Sequence, residues 1–229
     1  MTQADASTVS RRGGPGRGTL ANGVTNARRA LAVLQSDIAS CTICRTLSPW
    51  RKFGRTAYGN PGTGYLLVGE APGYVSWRKR QRFTGPAGLV IRRALRQIAH
   101  PLYRTLEDLF YMTDVVKCHP ARPGSPRSNR SPKRAEVSAC SGYLVREIEM
   151  LHPSVIVTFG KVAAEGVVHT LTLRASSELL PEVIAFPHPS PRNLRTILRL
   201  YPSMRAFEGA LTLVFRRLIK RLGRRSTHA

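Results

Sequence analysis

Apolar residues recur along the chain in two rhythms that alternate. Four short runs, Tyr65-Leu-Leu-Val68, Leu109 to Val116, Ser154-Val-Ile-Val-Thr-Phe159 and Val183-Ile-Ala-Phe186, are rich in β-branched and aromatic residues and show little polar alternation. Runs of that kind are expected of strands buried on both faces. Between them the spacing becomes helical. Ala27 to Ile38 carries Ala30, Leu31, Val33, Leu34 and Ile38 on one face, and Ser203 to Leu222 carries Phe207, Leu211, Val214, Phe215, Leu218 and Leu222. Leu89–Ile98, Ser131–Leu151 and Lys161–His169 complete the helical set, with Ser131 read as an N-cap and Pro132 as the first helical residue. Strands alternating with helices predict an α/β fold, a three-layer sandwich around a central, mostly parallel sheet. Ligands of such sheets bind beyond the carboxyl ends of the strands. Glu70, Asp114, Cys118 and His188 all fall at such ends.

Length and charge narrow the picture. At 229 residues the chain suits a single domain, expected over 26–223, with a basic, Gly/Ser/Thr/Arg-rich and disordered tail at 1–25 and a second basic tail at 224–229. The net charge is +23 and does not reside only in the tails. Residues 30–215 alone hold 25 Lys and Arg against 12 Asp and Glu. A folded domain that basic faces a polyanion, nucleic acid before membrane. No run approaches the length of a membrane span, and the N-terminus carries no secretory pattern, so the expected compartment is a reducing cytoplasm, with the protein drawn to the nucleoid through DNA. The expected state is a monomer.

Four cysteines, Cys41, Cys44, Cys118 and Cys140, then become informative. Stable disulfides are not expected in a reducing compartment. Four thiolates match the complement of an iron–sulfur cluster or of a structural zinc. The spacing argues against zinc, since 21 residues separate Cys118 from Cys140 where a tight second knuckle is usual.

Five motifs run in order through these cysteines: Gly69-Glu70-Ala71-Pro72-Gly73, Phe83-Thr84-Gly85-Pro86-Ala87-Gly88, Val115-Val116-Lys117-Cys118, Asn129-Arg130-Ser131-Pro132 with Glu136 and Cys140, and His188-Pro189-Ser190. Together they resemble the iron–sulfur (family 4) branch of the uracil-DNA glycosylases, from about Cys41 to Arg195. The resemblance implies a base extruded from DNA and read in a pocket. Glu70 would act as general base toward water, Ala71, Pro72 and Gly73 would line the sugar, and Phe83 would stack on the base. His188 would donate to a base carbonyl as charge builds there. Ser190 and Arg192, in the loop that enters the minor groove in the wider superfamily, would touch DNA, with Arg192 where an apolar wedge is expected. Arg130 and Lys133, with Arg122, Arg127 and Arg134, are candidate phosphate contacts. The resemblance implies a [4Fe–4S] cluster on Cys41, Cys44, Cys118 and Cys140.

Two departures from that family bear on specificity. After Gly73 the family is acidic, whereas Tyr74 to Arg82 is strongly basic and is expected as a loop that meets DNA phosphate or changes the pocket mouth. At position 114 the family has Asn, whose amide both accepts and donates; an ionised Asp only accepts. Three outcomes are open: a protonated Asp114, a backbone N–H reading the carbonyl, or a base range altered toward hypoxanthine, xanthine or cytosine. Rival readings are a non-catalytic nucleic-acid-binding member of the fold and a zinc-stapled binder. The covalent uracil-trapping branch is a weaker rival: its reactive histidine is missing from the basic insertion, although His119 lies nearby.

Overall fold

The computed structural model describes residues 17–47, 53, 58–173 and 179–226. Most of the N-terminal tail expected to be disordered lies outside the described residues. Four strands, β1 (Tyr65–Gly69), β2 (Tyr111–Asp114), β3 (Val155–Phe159) and β4 (Glu182–Phe186), form one sheet in the order β2-β1-β3-β4. Every pairing is parallel. The chain thus leaves β1 in one direction, returns across it, and adds β3 and β4 on the other side. The crevice where the winding reverses lies between the carboxyl ends of β1 and β3.

Period-two alternation divides the strand side chains between two cores. Tyr65, Leu67, Met112, Val155, Val157 and Phe159 point to one face, where Val90, Ile91, Leu95, Phe207, Leu211 and Phe215 cover them. These last come from α3 (Pro86–Arg96) and α8 (Met204–Ser226). Leu66, Val68, Tyr111 and Ile156 point to the opposite face and meet Leu31, Leu144, Ile148, Ala163 and Val167, from α1 (Arg17–Ser40), α5 (Arg134–Leu151) and α6 (Lys161–Leu173). The layers are therefore helix, sheet, helix, as the alternating pattern predicts.

Several boundaries move, each for a local reason. The run from Leu109 is not all strand: Leu106–Leu109 forms a one-turn helix, α4, closed by a capping box between Thr105 and Asp108. The basic stretch after Gly73 is not a loop but a short helix, α2 (Tyr74–Lys79), whose Arg78 and Lys79 sit at the end where the helix dipole favours cations. Helix α5 starts two residues later than Ser131-Pro132 suggests, with Lys133 at the N-cap. The Glu136 carboxylate accepts from the Lys133 N–H at 2.8 Å and fixes the first turn there. A further helix not foreseen, α7 (Leu194–Leu200), follows the His188 loop. Helix α1 begins at Arg17, well before the expected Ala27, and α8 runs to Ser226, past the expected Leu222. No helix among the described residues is long and apolar enough to cross a membrane.

Candidate active site

Glu70 follows β1 directly, His188 lies two residues past β4, and Gly160 ends β3. The three meet in the β1/β3 crevice. A Cβ at Gly160 would stand 2.6 Å from Glu70 Oε1 and 3.2 Å from His188 Cβ. Gly160 also has φ +94°, a region only glycine enters without strain. Burial raises the Glu70 carboxyl above its ordinary range, and among the described residues no cation offsets that shift. Burial also lowers His188, which favours its neutral imidazole. The backbone around His188 is tightened by its own carbonyl, which accepts from the Ser190 N–H and from Asn193 Nδ2, each at 2.9 Å.

A second pair stands beside the first, at the β1/β2 end. Gly69 is paired in register with Asp114. A Cβ on Gly69 would strike Asp114 Oδ1 and lie 3.3 Å from the Phe83 ring. Phe83 itself has φ +53°, a left-handed conformation costing a bulky residue about 1–2 kcal/mol. Three contacts hold it there. Its carbonyl accepts from Arg92 Nε at 2.9 Å, Gly88 leaves no side chain against its backbone, and its ring meets Phe159 edge-on at 6.3 Å. Strain of this kind gathers where a side chain must be presented at one angle.

Asp114 is not alone. It is 5% exposed and Arg82, 1% exposed, donates Nη1 to its Oδ2. Arg82 was expected among the phosphate-facing residues of the basic stretch; its side chain turns inward instead. A guanidinium stays charged and only donates, so of the three outcomes left open for Asp114 the pairing disfavours the protonated one.

The remaining first-motif residues are fixed from behind. Pro72 is buried and its carbonyl meets His119 Nδ1 at 2.9 Å. His119 Nε2 faces the Pro126 carbonyl at 3.3 Å, and the ring stacks on Trp77 at 6.2 Å. His119 is thus wholly buried bracing, placed unlike a reactive side chain. Asn129 Oδ1 accepts from the Tyr74 N–H at 2.8 Å, just past Gly73. Arg192 Nη1 reaches the Asn129 carbonyl at 3.4 Å, so the His188 loop, the insertion and the first motif touch at one point.

Arg130 departs from its expected role. Its guanidinium is bidentate on Glu136 at 2.8 and 2.6 Å, and Nε donates to the Ala121 carbonyl at 2.9 Å. It closes the insertion onto α5 and has little left for a phosphate. Arg122, Arg127, Lys133 and Arg134 are exposed.

All four cysteines line one small cavity, with Ile38, Leu47, Val116 and Tyr143 among its walls. Leu47, Val116, Cys118 and Cys140 form a buried cluster against which Cys44 and Ala71 pack. The Lys117 N–H donates to Cys140 Sγ at 3.3 Å. Burial raises the Cys140 thiol, Lys117 opposes that shift, and Cys41 and Cys44 add to it. Among the described residues no three His, Cys, Asp or Glu side chains close around one point as a single ion requires.

Sequence reasoning missed Arg82 as a site residue and also missed Lys117 with Glu147. Lys117 Nζ donates to Glu147 Oε2 at 2.6 Å, to Thr113 Oγ1 at 2.7 Å and to the Asp114 carbonyl at 2.7 Å, all buried. A lysine inside the apolar run ending at Cys118 was the available signal. A larger cavity of about 450 Å³, walled by Gln35, Asn60, Glu107 and Tyr111 among others, opens at the amino end of β2. It lies at the opposite end of the sheet from Glu70 and His188, and Glu107 there is already paired with Arg92. The crevice at Glu70 and His188 is therefore the candidate site, chosen on chemistry rather than size.

A crevice at the switch point of a doubly wound sheet, where a carboxyl group, an imidazole and an aromatic ring stand close together, is the kind of place where α/β enzymes bind their ligands. The model of the uracil DNA glycosylase superfamily matches residues 56–209. Type-4 uracil-DNA glycosylases are among the relatives. That of Sulfurisphaera tokodaii is 30% identical over 187 residues, 74% of this chain and 80% of that protein. That of Archaeoglobus fulgidus is 38% identical over 137 residues, 60% and 63% of the two chains. The Saccharolobus solfataricus enzyme is 31% identical over 147 residues, covering 64% of this chain and 63% of its own length. The chain belongs to the uracil-DNA glycosylase superfamily, on its type-4 branch.

Proposed function

We propose that this protein is a DNA glycosylase that hydrolyses the N-glycosidic bond of uracil in base-excision repair, acting as a monomer. The observation that carries the proposal is the convergence of Glu70 and His188 on Gly160 at the mouth of the β1/β3 crevice. Phe83 and Asp114 stand next to it, at Gly69.

The chemistry follows from those positions. The extruded base stacks on Phe83 while Asp114 accepts from its ring N–H. As the bond from the sugar carbon to the base nitrogen breaks, its electron pair passes into the base and collects on the carbonyl oxygens. Neutral His188 donates a hydrogen bond to that developing oxyanion, a role worth about 10²–10³ in rate. The sugar carbon gains positive charge, which the Glu70 carboxylate offsets. Water held by Glu70 adds to that carbon and its proton passes to the carboxylate. Ala71, Pro72 and Gly73, pinned by His119 and Asn129, wall the sugar side.

Outside the pocket, Ser190, Arg192 and Lys133, with Arg122, Arg127 and Arg134, supply the DNA contacts. Arg192 is exposed and braced on the insertion, and Leu194, 41% exposed two residues later, offers the apolar wedge that Arg192 replaces at the expected position. Cys41, Cys44, Cys118 and Cys140, which all line one small cavity, would hold a [4Fe–4S] cluster. When bound it supplies a staple, tying the segment before β1 to the β2 end and to α5 behind Ala71.

The test is incubation of the purified chain with oligonucleotides carrying single uracil, hypoxanthine, xanthine or cytosine residues, followed by alkaline cleavage. A cut at uracil is expected. Absence of cutting on every one of them ends the enzyme reading and favours a DNA-binding role for the fold.

A further inference from the structure

The pair Arg82–Asp114 is more elaborate than a pocket needs if it only has to accept one proton donor. Arg82 lies between two aromatic faces, its guanidinium carbon 4.4 Å from the Phe53 ring centroid and 4.9 Å from that of Tyr58. Nη1 is committed to Asp114 Oδ2, while Nε and Nη2 are buried and make no well-formed hydrogen bond to a described residue. Aromatic faces are weak electrostatic partners for a desolvated guanidinium, and among the described residues Asp114 is the carboxylate that pairs with it. The backbone carrying it is also clamped. Arg92 Nη2 donates to the Arg82 carbonyl at 2.8 Å, and Arg92 is itself held by Glu107. Residue 82 therefore cannot drift without moving Phe83, its neighbour in the chain. On the other side of the carboxylate, Oδ1 lies over Gly69 beside the Phe83 ring.

We propose that Arg82 is the positioning residue that sets base preference, holding Asp114 as a carboxylate with Oδ2 occupied and Oδ1 alone turned to the base. The proposal rests on the glycosylase reading above. Its consequence is a pocket that demands one N–H at that point and offers no donor in return, unlike an amide, which reads an N–H and its adjacent carbonyl together. Uracil, hypoxanthine and xanthine all present a ring N–H on that edge. Cytosine presents a ring lone pair there, which the carboxylate repels. The substrate class is therefore deaminated bases with a protonated ring nitrogen, with weaker discrimination at the adjacent substituent than an asparagine would give.

Single-turnover excision on uracil, hypoxanthine, xanthine and cytosine oligonucleotides, with thermal melts, tests this in four proteins: the parent, Arg82→Met, Asp114→Asn and the double variant. Arg82→Met strands a buried carboxylate, which burial drives toward its protonated, donating form; excision should fall about 10- to 100-fold overall, the range of a lost charge-assisted hydrogen bond, and the ranking of the bases should change with it. The double variant carries an unopposed amide. It should recover uracil excision over Arg82→Met and narrow the ranking toward uracil relative to the parent. A purely structural Arg82 would change melting without changing the ranking. Should Arg82→Met not fold, the double variant, which buries no unpaired charge, decides the matter by its ranking alone. Parent activity with a ranking identical in the double variant overturns this inference and leaves the glycosylase reading standing. A parent that cuts none of the bases overturns both.

Discussion

Glu70 and His188 are shifted in opposite directions by the same cause, burial in the crevice. For Glu70 the folded value lies above the unfolded one, so between the two the folded state binds more proton. Its contribution to stability is therefore present at low pH and is lost as pH rises through that window. For His188 the folded value lies below, so stability is lost as pH falls below its unfolded value. The reactive form, Glu70 ionised and His188 neutral, is reached by raising pH through both. The rate of excision should thus rise along an acid limb placed above the ordinary carboxylate range, measured as single-turnover rate against pH. Glu70→Gln should lose about 10²–10⁴ in rate while melting no lower than the parent at neutral pH, because it removes a buried charge. A large fall in its melting temperature would show that the carboxylate is structural. His188→Ala should cost about 10²–10³ in rate with DNA affinity retained, as checked by binding to an uncleavable duplex.

At the scale of elements, two features hold the strand ends in register. Gly160 closes β3 where no side chain fits, so Gly160→Ala should displace Glu70 and His188 together. Excision should fall by well over tenfold, more than the change in melting would account for. Behind β2, the buried Lys117–Glu147 pair, with both side chains no more than 2% exposed, ties α5 to the strand end that presents Asp114. Removing one member leaves the other charge uncompensated. Lys117→Met should destabilise the protein by about 3–5 kcal/mol in urea denaturation, and Lys117→Met/Glu147→Leu should recover most of it. Failure of the double variant to recover would mean that the pair does more than neutralise itself. The helices were legible where their apolar stripes were continuous, as in α8. Helices α2 and α7 were not, because basic residues interrupt one and the other is a single short segment after a Pro-rich loop.

Across the whole molecule, the charge surplus supports the DNA reading through a surface that survives the corrections at Arg82 and Arg130. With about six phosphates engaged, log K for DNA should fall against log salt with a slope near −5, measured by fluorescence anisotropy on an undamaged duplex. A slope near zero would contradict a phosphate-tracking face. If the four cysteines hold a cluster, Cys140→Ala should lose bound iron and acid-labile sulfide together, with a lower melting temperature. Iron retained in full by that variant would remove Cys140 from the ligand set.

The alternation of the four strands with the five longer helices, the placing of Glu70, Asp114 and His188 at strand ends, and the cysteine quartet were readable in the sequence. Each depends on local periodicity or on a motif at fixed spacing. What the chain order could not reveal was charge bookkeeping across distant segments. Arg82 and Arg130 sit in basic runs that resemble a solvated face, and only the packing shows Arg82 turned onto Asp114, 32 residues away, and Arg130 closed on Glu136. The physical reason is burial. A charged side chain taken out of water must find its partner wherever the fold has placed one, and that choice is made by the tertiary structure.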